Sequence, residues 1–217
     1  MKKRTGILIH SRYLRVPNWA EQMWGIPPDL LGHFPKAVLV VLQEEAEIVF
    51  LGCGLRSGPN GEMESEFNRQ YILDNFHRLS EFAEFRGIDL KKAKERIKQI
   101  LVLDRSSLST AQEVAFAGKA FEDAGIEKVV SVICPTHASR SLNEALKFFS
   151  RPESKIAIHN ISVQVSDIGW APNSDVMVFE PPHMPKDLIA GALRQKIAKM
   201  LLDPVELQKI KKALDLL

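Results

Sequence analysis

The chain of 217 residues is 45% hydrophobic and has no linker-like stretch, which predicts a single domain, residues 1–217, around one packed core. Its 29 basic and 27 acidic side chains leave a net charge of +2, which gives no bias towards nucleic acid or an anionic membrane as a partner. The densest basic stretch, KKAKERIK at 91–98, lacks interleaved aromatic residues, so we interpret it as a solvated helix face rather than a nucleic-acid patch.

Cysteine usage and the N-terminus indicate the compartment. Cys53 and Cys134 belong to no Cys-x-x-Cys pair, so neither a metal site nor a disulfide framework is predicted. The apolar run near the N-terminus, residues 6–9, is too short for a signal peptide or a membrane span. We therefore expect a cytoplasmic protein in a reducing environment, with no membrane partner.

Short apolar runs bounded by turn residues predict the strands in chain order. The four clearest are GILIH at 6–10, EIVFLGCG at 47–54, ILVLD at 100–104 and KVVSVIC at 128–134. Two weaker candidates are KIAIH at 155–159 and DVMVFE at 175–180. Most runs are continuous rather than alternating, which is typical of strands that are covered by helices on both faces.

Helical periodicity fills the segments between these strands. It predicts helices over 66–83 and 110–124, the second ended by Gly125 as a C-cap glycine, and a third from about Ser139 to Phe149. Two C-terminal helices are predicted at 186–202 and 204–217, where Asp203-Pro204 supplies an N-cap and a proline at the first helical position.

Strands that alternate with helices predict an α/β domain with a doubly wound, mainly parallel sheet. One stretch, residues 11–35, has no periodicity and is rich in proline and tryptophan. Long loops of this kind are either lids over a site or segments that cover the sheet, and the sequence leaves both interpretations open.

In an open parallel sheet, ligands bind beyond the carboxyl ends of the strands, so the residues after each predicted strand are the candidates for a site. These residues are polar or ionisable after all four clear strands. They are His10, Ser11 and Arg12; Gly52, Cys53, Gly54 and Arg56; Asp104, Ser106, Ser107, Ser109 and Thr110; and Cys134, Thr136, His137 and Arg140.

The second and third of these loops are ambiguous on their own. The glycine-rich loop at 52–66 has neither GxGxxG nor Walker spacing, so Gly52 and Gly54 serve either a ligand or a tight turn. In the third loop, Thr110-x-x-Glu113 has the pattern of a capping box, a role for Thr110 or Ser109. Asp104 and Ser107 are not needed for that role and are either ligand-orienting groups or ordinary turn residues.

The fourth loop, ICPTHASRS at 133–141, is the most informative. His137 and Arg140 are three residues apart and would share one side of the first turn of a helix, where free N–H groups favour an anion. Arginine can clamp phosphate or carboxylate, and histidine can donate a hydrogen bond or transfer a proton. The alternative is a surface histidine with an arginine that pairs with Glu144.

Taken together, the third and fourth loops resemble the YdcF/SanA/ElyC-like family of bacterial proteins, whose members show E-x-x-S-x-N-T-x-E-N followed by V-T-S-x-x-H-x-x-R-A. The corresponding stretches here are DRSSLSTAQE at 104–113 and ICPTHASRS at 133–141. Ser65-Glu66 is similar to the Ser-Glu-Ala that follows the family's glycine-rich turn. Asp104 replaces Glu, Ser109 replaces Asn and Glu113 replaces the last Asn, which indicates a divergent branch.

The resemblance implies a Rossmann-like, three-layer α/β/α domain with a C-terminal helical addition at 186–217. It also implies a pocket lined by six residues, Glu66, Asp104, Ser107, Thr110, His137 and Arg140. One family member is associated with S-adenosylmethionine, which makes this compound a candidate cofactor. The envelope members carry a membrane segment that this chain lacks, which favours a soluble role.

Three functions follow from these observations. In the first, the chain binds an anionic, nucleotide-like small molecule, with His137, Arg140 and Asp104 at the reacting centre and ligand contacts from His10, Arg12, Gly52, Gly54, Glu66, Ser107, Thr110 and Glu113. In the second, it is a phosphoester or phosphoanhydride hydrolase or transferase with His137 as general acid or base; a metal could assist through Glu66, Asp104 or Glu113, although no ligand spacing demands one. In the third, it is a non-catalytic interaction scaffold.

Overall fold

The computed structural model describes residues 2–16 and 18–169. The described residues begin with a strand, a short helix, a hairpin and a longer helix: β1 (Thr5–Ile9), α1 (Trp19–Trp24), β2 (Gly25–Ile26), β3 (Leu30–Leu31) and α2 (His33–Glu44). Alternating elements follow: β4 (Ile48–Leu51), α3 (Glu64–Asn75), α4 (Leu90–Ile100), β5 (Leu101–Leu103), α5 (Thr110–Asp123), β6 (Lys128–Ile133), α6 (Ala138–Phe149) and β7 (Ile161–Val165). Short 3-10 turns lie at Phe76–Glu81, Ala83–Phe85, Pro135–His137 and Ile158–Asn160.

The main sheet has five strands in the order β5-β4-β1-β6-β7, and every neighbouring pair is parallel. β1 is central: Leu8 lies opposite Phe50 of β4 and Ser131 of β6. Strands β2 and β3 form a separate antiparallel hairpin. The order confirms the predicted α/β fold with a parallel, doubly wound sheet.

Two apolar cores separate the sheet from its helices. Because successive strand residues point to opposite faces, Ile7 and Ile9 of β1 pack on one side and Leu8 on the other. The first core lies against α1 to α4 and the second against α5 and α6. The described region is therefore the three-layer α/β/α, Rossmann-like arrangement that the sequence predicts.

The stretch 11–35 is largely built into the first core. Trp19, Met23, Trp24 and Leu31 are all buried there, and the Trp19 ring packs edge-on against Phe67 and Tyr71 of α3. Burial of several large apolar side chains is what a covering segment requires, and it is this interpretation, not that of a lid, which matches the structure.

Two predicted elements differ from the structure. KIAIH at 155–159 is not a strand: Ile156 is buried in the second core, residues 158–160 form a 3-10 turn, and the strand is β7 at 161–165. The helix predicted at 66–83 begins two residues earlier and ends at Asn75. There the Asn75 side chain donates to the Tyr71 carbonyl, a local bond that competes with the helical backbone pattern.

Other predictions agree or fall outside the described residues. The helix at 110–124 and its C-cap are confirmed, since α5 spans Thr110–Asp123 and Gly125 has a φ of 66°. The predicted strand at 175–180 and the helices at 186–202 and 204–217 lie outside the described residues. The chain divides into two units, Met1–Ala171 and Pro172–Leu217. All described residues belong to the first unit. The single domain over 1–217 therefore stays a prediction.

Candidate functional site

The strand order places a crevice between β1 and β6. From β1 the chain proceeds to β4 on one side of the sheet, whereas from β6 it proceeds to β7 on the other side. The connections therefore part at the carboxyl ends of these two strands, which is where open α/β sheets bind ligands. His10, Ser11 and Arg12 follow β1, and Cys134 to His137 follow β6, so the predicted first and fourth loops meet at this point.

A buried chain of three polar side chains joins the two loops. His10 Nδ1 lies 2.6 Å from Glu113 Oε2, and His10 Nε2 lies 2.6 Å from Ser141 Oγ. All three residues are buried, and they come from the end of β1, the first turn of α5 and the first turns of α6. These two hydrogen bonds hold the His10 imidazole between Glu113 and Ser141 and fix the start of α6 relative to β1. The sequence singled out His10 and Glu113 but not Ser141.

Basic side chains gather beside this chain. Burial, together with the nearby His10, Arg12 and His137, lowers the pKa of His33 to about 3. Burial likewise lowers the pKa of His137 to about 4, with Arg140 and Arg12 as the next causes. Both imidazoles are therefore neutral at pH 7. The mutual effects show that Arg12, His33, His137 and Arg140 share one corner of the molecule, which we call the basic corner.

Arg12 carries the strongest signal within the basic corner. Its side chain is partly buried, and its Nε and Nη1 atoms are inaccessible to solvent with no hydrogen-bond partner among the described residues. Guanidinium nitrogens without acceptors are costly to bury. The helices α2 and α6 also begin in this region, and neither has a side-chain cap on its first N–H groups. An anion would satisfy both deficits.

Ser11, the residue before Arg12, contacts a second polar cluster, which was not predicted from the sequence. Glu64 is buried, its Oε2 accepts a hydrogen bond of 2.7 Å from Ser11 Oγ, and its Oε1 accepts one of 2.6 Å from Ser57 Oγ. Asn68 Nδ2 donates to Ser11 Oγ at 2.9 Å. We call Ser11, Ser57, Glu64 and Asn68 the acceptor cluster. Glu64 and Asn68 are four residues apart, which places them on one face of α3. This spacing is the feature of the sequence from which the cluster could have been predicted.

Asp104 and Ser107 are held by their own loop. Asp104 Oδ1 accepts hydrogen bonds from the backbone N–H groups of Ser106 and Ser107 at 2.9 and 3.0 Å, and Oδ2 accepts one from the Ser107 hydroxyl. The Asp104 carbonyl accepts one from the buried Ser65 hydroxyl. Of the two interpretations of Asp104 and Ser107, these contacts match the turn: both carboxylate oxygens are engaged within the loop.

The glycines after β4 allow close approach of neighbouring loops. A Cβ atom on Gly52 would lie 2.6 Å from Glu113 Oε1, and one on Gly54 would clash with the backbone nitrogen of Ser106. Gly54 N–H donates to the Ser107 carbonyl at 3.0 Å. Both glycines therefore allow close packing between loops, and neither has the positive φ that the tight-turn interpretation required.

The two cysteines are buried and serve as structural residues. Burial, with the Glu113 carboxylate as the next cause, raises the pKa of Cys53 to about 12, so this thiol stays protonated. Cys53 Sγ lies 3.5 Å from the Ser107 carbonyl oxygen, and Cys134 Sγ lies 3.6 Å from His33 Nδ1. A neutral, enclosed thiol is a poor nucleophile.

Two predicted site residues, Glu66 and Thr110, belong neither to the basic corner nor to the acceptor cluster. Glu66 is on the outer side of α3, 3.9 Å from Arg105, in an open groove of about 670 Å³. Thr110 begins α5, but the cap is Ser109, whose hydroxyl accepts from Gln112 N–H at 3.3 Å. Of the two residues predicted for the cap, Ser109 therefore has this role and Thr110 does not, and the Glu113 carboxylate contacts His10 instead of completing a capping box.

Within residues 2–16 and 18–169, no group of three or more His, Cys, Asp or Glu side chains is arranged to hold a metal ion. None of the helices in the same part of the chain is both long and apolar enough to cross a bilayer. No protein-family model, curated protein or solved structure matches the chain. The resemblance to the YdcF/SanA/ElyC-like family therefore stays a prediction from the loop motifs.

Proposed function

We propose that the protein binds a small, anionic, nucleotide-like compound at the carboxyl ends of β1 and β6, with S-adenosylmethionine among the candidates. The observation that carries this proposal is the Arg12 guanidinium, whose buried Nε and Nη1 find no acceptor among the described residues. An oxygen of a phosphate or carboxylate group placed beside either nitrogen would accept a charge-assisted hydrogen bond from it, and Nη2 would complete the two-pronged contact.

The basic corner supports the same ligand class. His137 is neutral at pH 7 because burial and the charges of Arg140 and Arg12 lower its pKa, so it donates one N–H and adds no charge. The start of α2 contributes backbone N–H groups without a side-chain cap, and α2 and α6 contribute the positive ends of their dipoles; the first N–H of α6 already donates to the Pro135 carbonyl. The anionic group of the ligand would therefore meet charge from Arg12 and Arg140 and hydrogen bonds from His137.

Titration calorimetry on the full chain tests the proposal with inorganic phosphate, pyrophosphate, adenosine 5′-monophosphate and S-adenosylmethionine. We expect at least one compound to bind with a 1:1 stoichiometry, and Arg12→Gln to weaken that binding at least about tenfold. Arg15→Gln is the matched control, because it removes an exposed arginine from the same loop. Absence of binding by all four compounds, or equal losses in both variants, would contradict the proposal.

A second function, phosphoester or phosphoanhydride hydrolysis or transfer, is favoured by one observation. Arg140 and Arg12 are near enough to lower the pKa of His137, so the two guanidinium groups would stabilise developing charge while the neutral imidazole, a weak base at pH 7, would orient the attacking group by a hydrogen bond. Turnover of p-nitrophenyl phosphate and nucleoside triphosphates, with and without Mg²⁺, should then be lost in His137→Gln but not in His77→Gln. Absence of turnover under all conditions would leave binding as the function.

A further inference from the structure

Hydrogen-bond directions in the acceptor cluster leave one buried oxygen open. The Glu64 carboxylate can only accept, so the Ser11 hydroxyl donates to it. Ser11 Oγ then accepts from Asn68, and the contacting atom of Asn68 must be the amide nitrogen, Nδ2. The amide oxygen, Oδ1, therefore points elsewhere. It is fully buried and has no hydrogen-bond partner in the described part of the chain.

The Glu64 carboxylate, in the same cluster as Asn68, is a second buried acceptor that a hydrogen-bond donor would stabilise. Glu64 is buried and accepts from two neutral hydroxyls, those of Ser11 and Ser57, while none of the ion pairs between described residues includes it. A buried carboxylate without a cation and a buried carbonyl oxygen without a donor are both costly in free energy. An N–H or O–H group that entered beside them would relieve both costs.

The acceptor cluster and the basic corner begin at consecutive residues. Ser11, which Asn68 holds, precedes Arg12, and their Cα atoms are about 3.8 Å apart, as in any trans-linked pair. We therefore consider one small molecule that contacts Arg12 with one end and Asn68 with the other. Its two ends would carry opposite hydrogen-bonding character, acceptor at Arg12 and donor at Asn68.

We infer that the ligand carries, beside its anionic group, a hydrogen-bond donor, a hydroxyl or an ammonium group, that binds Asn68 Oδ1 next to Glu64. This inference rests on the proposed anion site at Arg12 and adds the chemistry of the ligand's other end. The ligand class is thus a phosphate or carboxylate that bears an amine or a hydroxyl a few bonds away, and simple anions occupy only half of the site.

Matched pairs of probes test the inference on the full chain. O-Phosphoethanolamine and ethyl phosphate differ by an amine, glycerol 3-phosphate and propyl phosphate differ by two hydroxyls, and inorganic phosphate measures the anion site alone. We expect the donor-bearing member of one pair to bind at least about tenfold more tightly than its partner, the value of one well-formed buried hydrogen bond. The pair that shows the difference identifies the donor as amine or hydroxyl.

Two variants locate the effect. Asn68→Leu, which removes the open oxygen, should abolish the difference within the pair while inorganic phosphate binds as before. Ser57→Ala, the matched control, removes one hydroxyl from Glu64 and leaves Asn68 Oδ1 in place, so the difference should persist. The wild-type comparison needs no variant and holds even if Asn68→Leu fails to fold.

The outcomes separate the two proposals. Equal affinities within both pairs, with inorganic phosphate bound, would overturn the donor subsite and leave the anion site standing. A difference that survives in Asn68→Leu would also overturn it. Loss of all phosphate binding in the wild type would overturn the anion site and the inference that rests on it.

Discussion

The two halves of the sheet's carboxyl edge differ in how their polar groups are satisfied. Beyond β4 and β5, the loops close on themselves: Asp104 accepts from Ser106 and Ser107, and the Gly54 N–H donates to the Ser107 carbonyl. At the end of β1, Arg12 retains buried donors, and Asn68 of α3, which contacts Ser11 there, retains a buried acceptor; neither has a partner for these atoms among the described residues. Closed networks hold loops in place, whereas open groups of opposite character in one crevice indicate a ligand site.

Breaking the closed half should produce the largest change in stability. Asp104→Ala leaves the backbone N–H groups of Ser106 and of the buried Ser107, and the Ser107 hydroxyl, without their acceptor, which should lower the free energy of unfolding by about 3 kcal/mol in urea denaturation. Asp104→Asn keeps one acceptor oxygen and should lose less, about 1 kcal/mol. A loss of less than 1 kcal/mol in Asp104→Ala would show that the loop is not held by this carboxylate.

The pH dependence of stability should show how much free energy is needed to bury His33 beside the basic side chains at the ends of β1 and β6. His33 has a pKa of about 3 when folded and an ordinary value near 6.5 when unfolded, so the unfolded chain binds the proton first as pH falls. Stability is full above pH 6.5 and declines towards pH 3, with a loss of about 2 kcal/mol from this residue at pH 5. In His33→Gln, the difference in unfolding free energy between pH 8 and pH 5 should shrink by that amount; an unchanged difference would contradict the assignment.

The hydrogen-bonded side chains of Glu113, His10 and Ser141 lie at the ends of β1 and β6, yet His10 has a partner at both ring nitrogens. They therefore separate the effect of stability from the effect of ligand binding at this edge of the sheet. Glu113→Gln replaces a charged acceptor of His10 Nδ1 by a neutral one and should cost about 1 kcal/mol of unfolding free energy. Pyrophosphate binding should change less than about threefold, a shift below 1 kcal/mol, because these side chains position α6 without contacting the ligand. A loss of binding larger than the loss of stability would instead place His10 or Glu113 in contact with the anion.

The smallest expected effect has the opposite sign. Arg12→Gln removes a guanidinium whose buried Nε and Nη1 have no acceptor among the described residues, so the ligand-free protein should become more stable by about 0.5 to 1 kcal/mol. The same substitution should weaken anion binding, as described above. Denaturant unfolding without ligand measures the first effect, and destabilisation by the variant would show that Arg12 already has a structural partner.

Periodicity and strand-end position predicted most of the fold. β1, β4, β5 and β6 were readable because continuous Ile, Val and Leu runs are typical of strands covered on both faces. Helix α2 was not predicted, because its valine-rich run HFPKAVLVVLQE has the low helical propensity of β-branched residues and a proline near its start. Packing of α2 into the first core overrides that propensity.

The candidate site was predicted in position but not in composition. The rule for parallel sheets led to His10, Arg12 and His137 because each follows a recognisable strand. Glu64 was missed because it precedes the predicted start of the helix at residue 66, and Asn68 was missed because apolar periodicity says nothing about a buried polar side chain. The closure of the Asp104 loop depends on contacts between neighbouring loops, which no local pattern encodes.

The central claim is that an anion binds Arg12 between β1 and β6, and a crystal structure with pyrophosphate, or with tungstate as an anomalous substitute, tests it most directly. The account predicts an oxygen of the anion within about 2.7 to 3.2 Å of Arg12 Nε or Nη1, beside His137 and the first turn of α6. An anion bound only at other surface positions, with Arg12 unaltered in an otherwise accessible crevice, would contradict it.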